Sequence, residues 1–313
     1  MTEQGADGPG SAGARSRVLA AALATLDHPA ARRRFVAENH SGGGGRDDGG
    51  RPDRVTWAQF IDPVAVARRR AADQIDGLGI AELTGAMAFH AVAVPVVDLV
   101  VSLLVVYGCA IDLDPYDLVL GMDGDRVVEV VVPEAAVRAV FSDPAGPTAV
   151  AAGGIGTGWL VDASADDLAD RVAALLIAAL DPVVALVEPV DAAHRWGAVA
   201  DLVAVLAAGR QRAQHLPVEP TWAAIYRVVA SLRDRRPHPA ERPGRLAVPA
   251  PAGGGQVLAL ARRSTCCQWY RASRPLGEPS AANARCADCP SLDPDTNVSR
   301  LAALARTGDL GRP

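Results

Sequence analysis

The chain has 313 residues, 50% hydrophobic and 21% charged, which excludes a wholly disordered or fibrous protein and allows one large domain or two modest ones with a real core. Aromatics are only 4%, so that core must come from Ala, Val and Leu. Its net charge is -5 and every basic residue is Arg, which argues against broad nucleic-acid binding, since phosphate recognition needs a basic excess.

Residues 1–52 read as an N-terminal extension. Residues 1–13 are rich in Gly, Ser and Ala, a composition expected to stay disordered. Residues 14–38 carry helical periodicity, with Val18, Leu19, Ala22, Leu23 and Leu26 on one face. No apolar core follows a basic start, so no secretory leader is expected. Ser41 to Pro52 is a flexible linker by composition, leaving the extension idle.

Residues 53–245 form the body. Helical patterns are expected from Thr56 to Tyr107, with segments at Ala65–Gln74 and Ile80–His90 followed by the apolar run Ala91–Ala110. That run is long and apolar enough to cross a bilayer, but Pro95 interrupts it and Asp98 puts a charge at its middle. A buried core helix is therefore the expectation, with at most peripheral membrane association. Asp112–Asp117 breaks the pattern, and β-branched runs at Leu118–Met122 and Arg126–Val132 flank Asp123-Gly124, a hairpin signal. Ser164 to Asp167 fits a capping box opening a helix that should stop at Asp181-Pro182. Helices follow at about Val190–Arg210 and Thr221–Arg233, then an exposed Arg- and Pro-rich loop from Asp234 to Gly244.

Residues 246–295 hold a second hairpin, Leu246–Pro249 with Gln256–Arg262, and a cysteine segment. The tail, 296–313, carries a short helix at about Val298–Ala305. Four of the five cysteines lie in this last fifth: Cys266-Cys267, eighteen residues, then Cys286-Ala287-Asp288-Cys289. Reduced thiols clustered this way read as a metal site. A Cys-x-x-Cys turn puts two sulfurs on one side. Adjacent cysteines point to opposite faces of a strand and reach one centre only from an irregular backbone. Structural zinc sites use Cys-x2–4-Cys in both halves, so the adjacent pair counts against a zinc ribbon, and a four-thiolate [2Fe–2S] centre is the competing assignment. Cys109 stands apart in the apolar run and reads as a small buried hydrophobe.

Arg263-Ser264-Thr265-Cys266-Cys267-Gln268-Trp269-Tyr270, with Cys286-Ala287-Asp288-Cys289-Pro290 near the C-terminus, resembles the FhuF-like ferric-siderophore reductases. The resemblance implies that Cys266, Cys267, Cys286 and Cys289 hold a [2Fe–2S] cluster. The gap between the pairs is longer here than is usual in the family. A weaker likeness covers His194 to Ala200, where Ala198 replaces an Asn of the family's Trp-Gly-Asn stretch. His194 and Trp196 are candidates to line a substrate site. Arg263, Arg271 and Arg285 are candidates to tune the cluster, because nearby positive charge favours its reduced state.

Other features carry less. Gly153–Gly158 lacks both the third Gly of a dinucleotide loop and, in a chain without Lys, the P-loop lysine. No flavin or nicotinamide fingerprint appears, so electrons are expected from a separate donor. His90, on an apolar helix, reads as a core histidine. The fold class expected is α+β, mainly helical, with one or two small antiparallel sheets and a C-terminal iron–sulfur segment. The function expected is a cytoplasmic one-electron reductase of ferric siderophores, most simply hydroxamates. The alternatives are an iron–sulfur electron carrier or redox sensor, and a zinc-stapled interaction module.

Overall fold

A computed structural model describes residues 34–38, 53–63, 65–67, 81–123, 126–133, 138–141, 160–161, 163–186, 191–250, 257–266 and 286–307. Over these residues the protein is a mainly helical α+β fold. Its helices are α1 (Trp57–Phe60), α2 (Ala81–Tyr107), α3 (Ala165–Leu186), α4 (Ala192–Ala213), α5 (Val218–Arg235) and α6 (Pro294–Thr307). The long four, α2 to α5, pack as a ring in which α2 touches α3 and α4, and α5 touches the same two. Their inward faces form one core holding Trp57, Trp196 and Trp222 among many Ala, Val and Leu side chains.

α2 is the spine of that core. From Val96 to Leu104 every residue is buried, so the helix is apolar all round. It is long and apolar enough to cross a membrane, and 72% of its apolar window is buried inside the protein. Asp98 finds its counter-charge here: Arg210 of α4 approaches within 3.2 Å, with side chains 5% and 3% exposed, and Ser102 donates a further hydrogen bond. Pro95 does not end the helix. The carbonyl that its missing N–H would have engaged belongs to Ala91, an exposed position where water can serve it. The two helical segments expected around His90 are thus one, and it stops at Gly108. There φ is 61°, a left-handed turn that glycine adopts without strain, and its N–H closes onto the Leu104 carbonyl. Cys109 therefore begins a strand and does not lie in the helix.

The capping box at Ser164 forms as expected: Asp167 N–H donates to Ser164 Oγ, and Ser164 N–H donates to the Asp167 carboxylate. α3 nevertheless runs through Pro182 to Leu186. Val183 beyond the proline is fully buried, and packing outweighs one lost backbone bond.

Three small sheets complete the fold. β1 (Arg34–Glu38), β2 (Asp53–Thr56), β4 (Val119–Asp123) and β5 (Arg126–Pro133) order as β1-β5-β4-β2. β4 and β5 are the expected hairpin, with Asp123 registered on Arg126. At 34–38, the end of the 14–38 segment expected as a helix, the chain is the strand β1, so this part of the extension is not idle. β1 pairs in parallel with β5, whose outer backbone groups offer a ladder that local periodicity cannot reveal. β2 leads directly into α1, whose N-cap is Thr56, where the helical pattern is expected to begin. β3 (Cys109–Asp112), β6 (Arg138–Phe141) and β7 (Leu160–Val161) make a second sheet, with β6 and β7 parallel. β8 (Gly244–Pro249) and β9 (Val257–Arg262) are the second hairpin. It shares a small core with α6 through Leu246, Val248, Leu260, Leu301 and Ala302. The short helix expected at about Val298–Ala305 is α6, and it closes the hairpin. β9 in turn packs on α4, which brings the cysteine segment to the bundle. Residues 1–33, the 41–52 linker, most of the segment expected as a helix at Ala65–Gln74, and Gly153–Gly158 lie outside the described residues.

Candidate metal centre

β9 ends at Arg262, and the chain then bends at Ser264-Thr265 before reaching Cys266. This bend rests on one face of α4. Asp191 caps that helix by accepting from His194 N–H, which sets His194 in the first turn. His194, Gly197 and Asp201 follow at spacings of three and four, so they share a face. His194 Nε2 lies 3.1 Å from the Cys266 carbonyl and donates to it, since a carbonyl only accepts. Gly197 lies beneath Thr265: a β-carbon there would stand 2.4 Å from the Thr265 methyl and 2.8 Å from Pro239. Asp201, 3% exposed, takes four hydrogen bonds, from the N–H and hydroxyl of Ser264 and the N–H and hydroxyl of Thr265, at 2.5–2.8 Å. Burial pushes its pKa up, and those four donors pull against the shift.

The second cysteine pair is held from the other side. Cys289 N–H closes onto the Cys286 carbonyl, making one tight turn. Asn297 of α6, fully buried, donates to the carbonyls of Ala287 and Cys289 and accepts from Arg262. Arg262 also donates to the carbonyls of Pro290 and Leu292. Arg263 joins the two halves. Its N–H donates to the Asp288 carbonyl at 3.2 Å, and its guanidinium pairs with the Asp288 carboxylate at 2.7 Å. The strand end that carries Cys266 and the turn that carries Cys286 and Cys289 are therefore bonded to each other. Eighteen intervening residues of sequence hide that fact.

The thiols differ in setting. Cys289 is 3% exposed with Sγ 3.0 Å from Ser291 Oγ, whose hydroxyl can donate to a thiolate. Cys266 and Cys286 are partly buried. Cys267 lies outside the described residues, as do Arg271 and Arg285. Among the described residues, no three His, Cys, Asp or Glu side chains gather as a ligating group. Burial pushes the Cys109 thiol up to about 12, which leaves it unreactive and away from this chemistry.

Comparison with known protein families, curated proteins and solved structures finds no match. Soft sulfur donors, a hydroxyl beside one sulfur and two arginines bracing the backbone are the chemistry a metal centre ligated through cysteine would use. Asp288 balances the charge of Arg263, a candidate to tune the cluster, and what the geometry displays of Arg263 is its direct bonding across the two segments. Trp196 is 1% exposed and offers no wall to a ligand. It packs under His238 and Arg236, fixing the loop that brings Pro239 against Gly197.

Asp201, Gly197 and Asn297 escaped the sequence reading. The available signal was the His194-x-x-Gly197-x-x-x-Asp201 spacing on one helix face. His90, expected as a core histidine, also lies within electrostatic reach of the site. It is partly buried, and burial together with the charges of Arg263 and His194 lowers its pKa to about 4, so it stands neutral. A groove of about 570 Å³ opens beside the site, lined by Tyr226, Val229, Arg233, Arg242 and Arg262. Arg262 thus connects the groove wall to the Cys289 turn.

Proposed function

We propose that this protein is a cytoplasmic ferric-siderophore reductase of the FhuF-like kind, with Cys266, Cys267, Cys286 and Cys289 as ligands to a [2Fe–2S] cluster. The observation that carries the reading is the cysteine motif itself, Cys266-Cys267 with Cys286-x-x-Cys289, its two halves tied by Arg263 and Asp288. When bound, the cluster supplies a carrier for one electron, received from a separate donor. The chain's own residues hold the ligands. Asn297 and Arg262 fix the Cys286–Cys289 turn, and Ser291 offers a hydroxyl to the Cys289 sulfur. The ferric siderophore, a hydroxamate in the simplest case, is the substrate. Hard oxygen ligands hold Fe(III) far more tightly than Fe(II), so one electron releases the metal.

Anaerobically purified protein should show the visible absorption of an iron–sulfur centre, which ferric hydroxamate siderophore reoxidises after reduction. Replacing any one of the four cysteines by Ser should abolish or severely weaken both signals, while Cys109→Ser leaves them intact. A colourless protein containing stoichiometric zinc would make the chain a zinc-stapled module. A cluster inert to every ferric siderophore tried would make it an electron carrier or sensor.

A further inference from the structure

We infer that Asp201 is the positioning residue that bends the chain immediately before Cys266 and so sets how this candidate ligand is presented. The inference deepens the proposed function and rests on that reading for the identity of the metal. An extended strand projects successive N–H groups to opposite sides. The Ser264 and Thr265 N–H groups instead converge on one carboxylate, at 2.6 Å and 2.8 Å, so the backbone between them is turned. Consecutive amides arranged this way form a concave anion-binding nest, and here the anion is a side chain of the protein itself.

The turn sets the direction in which the chain leaves β9 and enters Cys266. The hydroxyls of Ser264 and Thr265 add two more bonds to the same carboxylate, at 2.8 Å and 2.5 Å. With four donors, Asp201 has its acceptor capacity filled. His194 extends the grip by one residue through the Cys266 carbonyl, and Gly197 lets helix and loop approach closely enough for both. One helix face, spaced three and four residues, therefore sets the backbone at 264, 265 and 266. That geometry is placed by α4, on which β9 already packs.

Replacement of Asp201 separates this role from general stability. Asp201→Asn keeps one acceptor oxygen and presents an amide N–H₂ to the donors of the other residue; Asp201→Ala removes both acceptors. Three measurements are made on each full-length variant: amide hydrogen exchange at Ser264 and Thr265, iron and sulfide content after anaerobic reconstitution, and Cd(II) titration of the reduced apoprotein. Exchange at the two amides should quicken in the order wild type, Asn, Ala, while the amides in the middle of α2 keep their protection. Cadmium affinity should fall by about 10- to 100-fold, the usual cost of losing an outer-shell partner. Iron occupancy should fall in the same order. Wild-type affinity and cluster content in Asp201→Ala, in protein that remains folded, would overturn the inference and leave the proposed function standing. A wild-type protein that takes Cd(II) through thiolates but no iron, with the loss still seen in the variants, would overturn the iron–sulfur reading and uphold the role of Asp201. Failure of the wild type to bind either metal would overturn both.

Discussion

Asp98 and Asp201 are both helical aspartates, each 3% exposed, and they are stabilised in opposite ways. Asp98, in the middle of α2, faces the guanidinium of Arg210 on the neighbouring helix. Asp201, on α4, faces two backbone N–H groups and two hydroxyls of a loop. The first links one rigid element to another and serves the fold. The second links a rigid element to the irregular segment that leads into Cys266. Buried charge is costly in either place, and what compensates it indicates what it organises: a helix bundle in one case, a ligand-bearing corner in the other.

The comparison can be broken at four points. The largest effect should come from Arg210→Ala, which leaves Asp98 buried beside an emptied partner. Urea unfolding should show a loss of about 3–5 kcal/mol. If the comparison holds, protein that stays folded still binds Cd(II) as the wild type does; an equal loss at the cysteine end would mean that the two aspartates belong to one system.

The next effect is a pH dependence at the junction between the regions. His90 lies on the same helix as Asp98 but feels Arg263 and His194. The native state keeps it neutral down to about pH 4, whereas the unfolded chain protonates it near 6.5. The unfolded state therefore binds the extra proton as pH falls, and stability should drop between pH 6.5 and 4. The drop is on the order of 2–3 kcal/mol, at about 1.4 kcal/mol per pKa unit. His90→Gln should flatten this part of the stability profile. An unchanged slope would show that His90 titrates normally and stands apart from the site.

Gly197→Ala sharpens the loop side. The added methyl meets Thr265 and Pro239, and such overpacking costs about 1–3 kcal/mol. Its effect on Cd(II) affinity should exceed its effect on the melting temperature. Thr265→Ser in the same chain removes the nearer clash while keeping the hydroxyl on Asp201, and should restore part of the affinity. Absence of any rescue would place the strain at Pro239 instead. The smallest effect should be Ser164→Ala at the start of α3, about 1 kcal/mol in thermal or urea unfolding, with metal binding unchanged. A larger change at the cysteines than in stability would contradict the division.

The amino-acid sequence by itself determined what depends on neighbours along the chain. The Ser164 capping box, the β4–β5 and β8–β9 hairpins, the helices near Val190–Arg210 and Thr221–Arg233, and the ligand-like pattern of the cysteines are written in local spacing. Each is a matter of periodicity, turn chemistry or short-range hydrogen bonding. Tertiary structure decided what depends on partners far away. Pro95 and Pro182 remain inside helices because packing on either side exceeds the lost backbone bond. β1 is a strand because β5 offers it a free edge more than ninety residues later. Asp98 is a core residue because Arg210 stands 112 positions on, and Asp201 is a loop anchor because Ser264 and Thr265 arrive 63 and 64 positions on. A charge in an apolar helix looks the same in every window of sequence. Its meaning depends on the group that meets it, and only the folded chain brings that group into range.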